Sequence, residues 1–139
     1  MMKSIRYSLS DIDLVAQELL SSLPTKCVVL IEGEMGVGKT TLMSALLTMC
    51  GVQEVSSPTY SMVNEYSSDQ GKRIHHYDLY RVKDVYELYE IGFMDLLENA
   101  DWHFVEWPAV GAPFYPDSAI KWKIEVLAHQ DRMISITSE

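Results

Sequence analysis

The residues best suited to chemistry form one glycine-rich segment, Gly33-Glu34-Met35-Gly36-Val37-Gly38-Lys39-Thr40. It matches the pattern Gly-x-x-x-x-Gly-Lys-[Ser/Thr], in which the glycines let backbone N–H groups point at phosphate oxygens. In such a loop the lysine reaches the β- and γ-phosphates, and the threonine hydroxyl binds a Mg²⁺ ion that bridges them. The segment therefore predicts a site for a nucleoside triphosphate with Mg²⁺.

The sequence on either side of this loop predicts the elements that a phosphate site needs. The run Cys27-Val28-Val29-Leu30-Ile31 has no polar alternation, which is typical of a strand buried on both faces of a sheet. After the loop, apolar residues recur at helical spacing as far as Gly51, namely Leu42, Ala45, Leu46 and Met49. A helix that begins directly after the loop adds the positive end of its dipole to the site.

A phosphate site of this kind also needs an acidic residue near the metal, and two candidates end apolar strands. Glu106 follows the apolar segment 102–105, and Asp78 follows the segment 74–77. A carboxylate at a strand end can hold Mg²⁺ directly or through water, while a second one orients or deprotonates the attacking water. The residues alone leave these two roles exchangeable between Asp78 and Glu106.

The remaining pattern predicts the order of the other elements. We expect a strand at 4–9, a helix that begins with a capping box at Ser10 and Asp13 and ends at Pro24, and a hairpin of strands at 60–66 and 73–77. Helical spacing over 84–98 is broken at Gly92, a proline-rich loop covers 108–116, and a second hairpin closes the chain. This order favours one α/β domain over residues 1–139, with a P-loop NTPase-type sheet of mixed parallel and antiparallel strands flanked by helices.

Two clusters of aromatic rings have simple interpretations. His75 and His76 are neighbours on a predicted strand, so their side chains point to opposite faces and do not easily share one metal ion. We interpret both as ordinary strand residues. The second cluster has only two basic residues beside it, which favours packing in the core or at a protein interface over stacking on bases: Tyr77, Tyr80, Tyr86 and Tyr89.

Composition restricts the partners. The chain has 11 Lys+Arg against 20 Asp+Glu, a formal net charge of −9, whereas unaided binding to nucleic acid or to an anionic membrane uses a basic surface. The longest apolar run is far short of the roughly 20 residues of a membrane-spanning helix, and the first residues lack the layout of a signal peptide. We expect a cytoplasmic protein without a membrane partner, in which Cys27 and Cys50 are reduced thiols.

The class of nucleotide protein follows from what the sequence lacks. Neither Asn64 nor Asn99 belongs to an Asn-Lys-x-Asp motif of the kind that recognises guanine, which argues against a GTPase. There are four arginines and no lid-sized insertion, which argues against a small-molecule kinase. A simple ATPase switch is the economical hypothesis. A nucleotide-dependent binding module and a small metabolite kinase remain the alternatives.

Four segments resemble, in order and spacing, the signature blocks of the bacterial TsaE (YjeE) ATPase family. They are residues 33–41, Ser57-Pro58-Thr59-Tyr60, His76-Tyr77-Asp78-Leu79-Tyr80-Arg81 and Val105-Glu106-Trp107-Pro108. The last three together are specific to that family. The resemblance implies an ATPase required to form N6-threonylcarbamoyladenosine at position 37 of tRNAs that read codons beginning with A. It implies a TsaD–TsaB heterodimer as partner.

The resemblance also carries roles onto single residues. Thr40 and Glu106 take the family's metal-binding positions, and Lys39, Asp78 and Glu106 its catalytic ones. The other residues expected to contact the nucleotide are Gly33, Glu34, Met35, Gly36, Val37, Gly38, Thr41, Thr59 and Trp107, with Ser10 and Arg132 as contacts toward the adenine side. No arginine is obviously aimed at the γ-phosphate, so we expect slow turnover without a partner.

The acidic residues are concentrated in one part of the chain. Residues 84–120 contain eight acids and no Lys or Arg. We therefore expect the protein to reach tRNA only indirectly, through its protein partners.

Overall fold

In the computed structural model, which describes residues 2–54 and 62–138, the described strands form one mixed sheet with helices on both faces. The strands are β1 (Met2–Tyr7), β2 (Cys27–Glu32), β3 (Gln53–Glu54), β4 (Val63–Ser67), β5 (Arg73–Asp78), β6 (Trp102–Glu106), β7 (Ile120–Val126) and β8 (Arg132–Thr137). The α-helices are α1 (Ile12–Ser21), α2 (Lys39–Met49), α3 (Val85–Glu90) and α4 (Phe93–Leu96). Three 3₁₀ turns cover Leu9–Asp11, Pro108–Phe114 and Ala128–Gln130.

The strand order is β1-β8-β7-β2-β6-β5-β4-β3. Strand β2 is parallel to both β6 and β7, and β5 is parallel to β6, whereas the outer pairs are antiparallel. The predicted mixed α/β sheet is therefore confirmed. Because β2, β6 and β5 are adjacent and parallel, their carboxyl ends lie together at one edge of the sheet.

Strand β2 explains why the sheet needs helices on both faces. Val29 and Ile31 pack into the core beneath α1 and α2, while Val28 and Leu30 pack into the core beneath α3 and α4. All four are buried, as the uninterrupted apolar run predicts. The larger core also contains Trp122 from β7, which ties the closing hairpin to this central strand.

Two local predictions are wrong in detail. The capping box at Ser10 and Asp13 does not form, because a 3₁₀ turn precedes α1 and Asp11 takes the N-cap position without a side-chain cap. The Ser8 hydroxyl instead donates to the Asp11 carboxylate at 3.0 Å and lies 2.8 Å from the Ser10 hydroxyl. The proline-rich segment contains a 3₁₀ turn, whose first carbonyl, on Pro108, accepts a hydrogen bond from the Tyr115 hydroxyl at 2.8 Å.

Other expectations are confirmed where the structure describes them. The helix over 84–98 divides at Gly92, which has a φ of 73°, and β4 and β5 form the antiparallel hairpin. Cys27 and Cys50 are free, half-buried thiols, and burial raises the pKa of the Cys27 thiol to about 11. Within residues 2–54 and 62–138, every helix is too short or too polar to cross a bilayer.

A buried polar group joins β5 to β6 on the face covered by α3 and α4. The Tyr77 hydroxyl lies 3.0 Å from His75 Nδ1 and 2.8 Å from His103 Nδ1. Because a phenol has one proton, Tyr77 donates to one imidazole and accepts an N–H from the other. Burial lowers the pKa of His103 to about 4, assisted by neighbouring His75, and burial also lowers the pKa of His75.

The pKa of His103 predicts an acid-sensitive fold. Since an unfolded histidine titrates near 6.5 and His103 in the folded chain near 4, acidification protonates the unfolded state first. The contribution of neutral His103 to the free energy of unfolding is present above about pH 6.5 and is lost as the pH falls below it. Between pH 6.5 and 5 this loss should be about 1.5 kcal/mol. Urea unfolding at several pH values measures this loss. His103→Gln should flatten the dependence, and His129→Gln, at an exposed position, is the control substitution; a slope in His103→Gln equal to that of the wild type would contradict the assignment.

Candidate functional site

The glycine-rich loop and both candidate acids meet at the carboxyl edge of the parallel strands β2, β6 and β5. Gly33 follows the last residue of β2, and Ile31 is paired with Glu106 on β6. Glu106 is in turn paired with Asp78 on β5. The two acids thus occupy equivalent positions on adjacent strands, and the parallel register places their side chains on the same face of the sheet.

The loop has the conformation that its glycines allow. Gly38 has a φ of 105° and directly precedes α2, whose first turn is closed by the Leu42 N–H donating to the Gly38 carbonyl at 3.0 Å. At Gly33 a Cβ atom would lie 2.7 Å from Val37 Cγ2 and 2.9 Å from the Ile124 carbonyl oxygen. The loop therefore needs glycine at position 38 for its backbone angle and at position 33 for close packing.

Lys39 is the buried cation of the site. Its side chain folds back so that Nζ donates to the Gly33 carbonyl and lies 3.5 Å from the centroid of the Trp107 ring. Only 6% of its surface is exposed. Burial lowers the pKa of Lys39, and the carboxylates of Glu106 and Asp78 act in the opposite direction. The lysine and the two acids are therefore close enough to influence one another electrostatically.

The two acids differ in environment. Glu106 is buried, and its Oε2 lies 2.5 Å from His76 Nε2. Asp78 is exposed at the rim, where its Oδ1 accepts the Tyr80 N–H at 3.0 Å. A backbone hydrogen bond from the Leu79 N–H to the Glu106 carbonyl, 3.1 Å long, extends the link between the two strand ends.

One cavity of about 340 Å³ collects most of the predicted residues. Its described lining consists of Met35, Gly36, Gly38, Lys39, Thr40, Thr41, Asp78, Tyr80, Glu106 and Trp107. Thr40 offers a hydroxyl, and Glu106 and Asp78 offer carboxylate oxygens, which are the hard donors that Mg²⁺ prefers. No cluster of three or more His, Cys, Asp or Glu suited to a metal occurs among residues 2–54 and 62–138. This donor set fits an ion that takes its other ligands from phosphate and water.

Trp107 has a backbone conformation that is unusual for its type. Its φ is 54° and its ψ is 56°, although it precedes Pro108, which normally favours an extended residue. Its ring packs over Lys39 and against the Tyr80 ring, with centroids 4.9 Å apart. The strained backbone thus places an aromatic wall on the cavity.

The residues predicted toward the adenine side lie at another edge of the loop. Arg132 Nε donates to the Val37 carbonyl at 2.8 Å, so β8 holds the outer side of the loop. Ser10 is exposed and lies three residues after Tyr7, which is paired with Arg132. The Glu34 carbonyl accepts the Val37 N–H at 3.3 Å within the loop. Thr59 and its block at 57–60 lie outside the described residues.

The sequence interpretation of the histidines is half correct. His75 and His76 do face opposite sides of the sheet, His75 toward Tyr77 and His76 toward Glu106. The interpretation of His76 as an ordinary strand residue misses its contact with Glu106. A signal was present, because residues two apart on a strand share a face, and His76 stands two residues before Asp78.

The fold and the loop together define an α/β protein of the P-loop type. The crystal structure of YdiB from Bacillus subtilis superposes with a TM-score of 0.71, covering 99% of this chain and 87% of that chain at 20% identity, which supports the fold.

The family model described as "Threonylcarbamoyl adenosine biosynthesis protein TsaE" matches residues 7–134. The chain is 37% identical over 111 residues to a protein of Haemophilus influenzae, covering 78% of this chain and 70% of that one. It is 33% identical over 124 residues to a protein of Rickettsia felis, covering 88% and 71%. Both relatives are named "tRNA threonylcarbamoyladenosine biosynthesis protein TsaE". The chain belongs to the TsaE family.

Proposed function

We propose that this protein is a Mg²⁺-dependent ATP hydrolase required to form the threonylcarbamoyl group on adenosine 37 of tRNAs that read codons beginning with A. It acts in the cytoplasm with the TsaD–TsaB complex. The observation that carries the proposal is the meeting of Lys39, Asp78 and Glu106 in one cavity beside the glycine-rich loop, in a member of the TsaE family.

The residues of the loop bind the phosphates. Backbone N–H groups of the loop and the beginning of α2 would face the β-phosphate, and Lys39 would exchange its contacts with Gly33 and Trp107 for phosphate oxygens. Thr40 and Glu106 would hold Mg²⁺, and the bound ion would supply positive charge against the phosphate oxygens. Thr41 and Met35 line the phosphate end, Arg132 and Ser10 the adenine side, and Thr59 remains a predicted contact.

Asp78 orients the attacking water. Its carboxylate stands at the rim of the cavity, is exposed, and is fixed through Oδ1 by the Tyr80 N–H. Its second oxygen is left to accept a hydrogen bond from water. Lys39 stabilises the charge that develops on the transferred phosphoryl group, so catalysis is positional and electrostatic.

Turnover of the isolated protein is slow. None of the described residues that line the cavity is an arginine. An arginine that reaches the γ-phosphate accelerates phosphoryl transfer by about 10³ to 10⁵ in related chemistry. We therefore expect a partner that completes or orders the site to raise the rate.

The surface of α3 and α4 supports a protein partner rather than direct contact with tRNA. Tyr86 and Tyr89, three residues apart on α3, are 71% and 57% exposed. They stand among acidic residues without a lysine or arginine between 84 and 120. Exposed tyrosines are common at protein interfaces, and the acidic surroundings repel phosphate.

The test is the nucleoside content of tRNA in cells depleted of the protein. Mass spectrometry should show a loss of N6-threonylcarbamoyladenosine that wild-type protein restores and Lys39→Ala does not. Binding of the purified protein to TsaD–TsaB, measured by calorimetry, tests the partnership. An unchanged modification level after depletion would disprove the proposed role, and labelled phosphate on a small acceptor would instead identify a kinase.

A further inference from the structure

His76 contacts the buried acid of the site but has no role in the function proposed above. On the parallel pair of β5 and β6, His76 is paired with Phe104, two residues before Glu106 on the same face. Its Nε2 lies 2.5 Å from Glu106 Oε2, and the two side chains are only 15% and 5% exposed. A contact this short between largely buried groups fixes both side chains.

This contact involves one of the two oxygens of the carboxylate. An ionised carboxylate accepts hydrogen bonds or metal at both oxygens, and a free one rotates about its last bond. With Oε2 held by the imidazole, Oε1 remains for a second partner. Groups that hold metal-binding carboxylates in this way are common in metal sites, and their loss typically lowers metal affinity 10- to 100-fold.

We propose that His76 is a positioning residue. It donates Nε2–H to Glu106 Oε2 and thereby presents Oε1 to the Mg²⁺ that Glu106 and Thr40 share. The inference rests on the proposed function, because it assumes that Glu106 holds the metal. An aliphatic side chain at position 76 could not fix the carboxylate in this way, because it offers no hydrogen-bond donor.

The adjacent histidine provides an internal comparison. His75 Nε2 lies 3.0 Å from Glu65 Oε1, so each of the two histidines contacts a glutamate. His75, however, faces the opposite side of the sheet, where it contacts Tyr77. Substitution of His75 removes a similar contact from the same strand without touching the cavity.

The test measures how much Mg²⁺ strengthens nucleotide binding. The dissociation constant of a fluorescent ADP analogue is determined in EDTA and in saturating Mg²⁺ for each variant. His76→Leu should reduce the Mg²⁺-dependent tightening by about 10-fold or more and leave the affinity in EDTA unchanged. His76→Gln, whose side-chain amide places a donor near the position of Nε2, should retain most of the tightening. Wild-type tightening in His76→Leu would disprove the positioning role.

Two further variants separate the possible failures. His75→Leu should lower thermal stability without changing the Mg²⁺ effect; if it weakens the effect as much as His76→Leu does, the role of His76 is structural. Glu106→Gln should abolish the effect. If it does not, the metal role of Glu106 in the proposed function is wrong, whereas sensitivity to Glu106→Gln with indifference to His76→Leu disproves only the present inference.

A spectroscopic measurement keeps the inference testable if His76→Leu does not fold. In the wild-type protein, ¹⁵N NMR of the imidazole should show His76 with its proton on Nε2, and Glu106→Gln should shift that resonance. A proton on Nδ1 alone would make Nε2 an acceptor and would disprove the inference.

Discussion

Replacing Lys39 by alanine is expected to lower the rate of ATP hydrolysis by about 100-fold or more, the usual effect of removing one donor from a developing anion. Lys39 is the one lysine in the described lining of the cavity, and it is already buried beside the loop. Its removal leaves the β- and γ-phosphates facing two carboxylates without a cation from the chain. Steady-state phosphate release, with TsaD–TsaB present, measures the rate.

A second lysine offers a matched control. Lys72 also places its Nζ over a tryptophan ring, 4.1 Å from the centroid of Trp102, and near a backbone carbonyl, that of Thr25 at 3.4 Å. It stands at the opposite end of β6 from the cavity, because Trp102 begins that strand and Glu106 ends it. Lys72→Ala should keep the wild-type rate. Undiminished hydrolysis in Lys39→Ala would show that the loop has no role in the reaction.

The second large effect concerns the two acids, and it assigns their roles. Glu106→Gln and Asp78→Asn should each reduce hydrolysis by about 100-fold. They should differ in binding. Glu106→Gln should lose the dependence of nucleotide affinity on Mg²⁺, because a neutral amide is a poor ligand for that ion. Asp78→Asn should keep that dependence and lose turnover, because an amide has one acceptor oxygen and its NH₂ group cannot accept a hydrogen bond from water.

Glu65→Gln is the control for these variants. Glu65 contacts a histidine as Glu106 does, but on the other face of the sheet, so its substitution should leave both binding and turnover intact. The reverse pattern, in which Asp78→Asn loses the Mg²⁺ effect and Glu106→Gln keeps it, would exchange the two roles. Full hydrolysis in both variants would contradict the proposed chemistry.

The parts of the site that the sequence predicts depend on local pattern and on sheet geometry. The apolar run of β2, the glycines and the helix α2 are adjacent in the chain, so no long-range packing has to be guessed. The nearness of Asp78 and Glu106 follows once β5 and β6 are parallel, since acids at the ends of parallel neighbours meet at one edge.

The parts that the sequence does not predict depend on contacts between distant residues. The capping box at Ser10 fails because the Ser8 hydroxyl contacts Asp11 instead. The left-handed conformation of Trp107 before a proline runs against local preference, and it accompanies packing on Lys39. The hydrogen bond between His76 and Glu106 joins residues 30 positions apart, so it requires knowledge of the strand register.

The glycine-rich loop is braced by the closing hairpin, β7 and β8, which is synthesised last. Ile124 of β7 crowds Gly33, and Arg132 of β8 bonds to Val37, 95 positions earlier in the chain. During synthesis the ribosome therefore releases the whole glycine-rich motif long before the strands that brace it. The nascent chain has the motif but not its outer wall, so the loop gains these two braces only when the last strands fold onto the sheet.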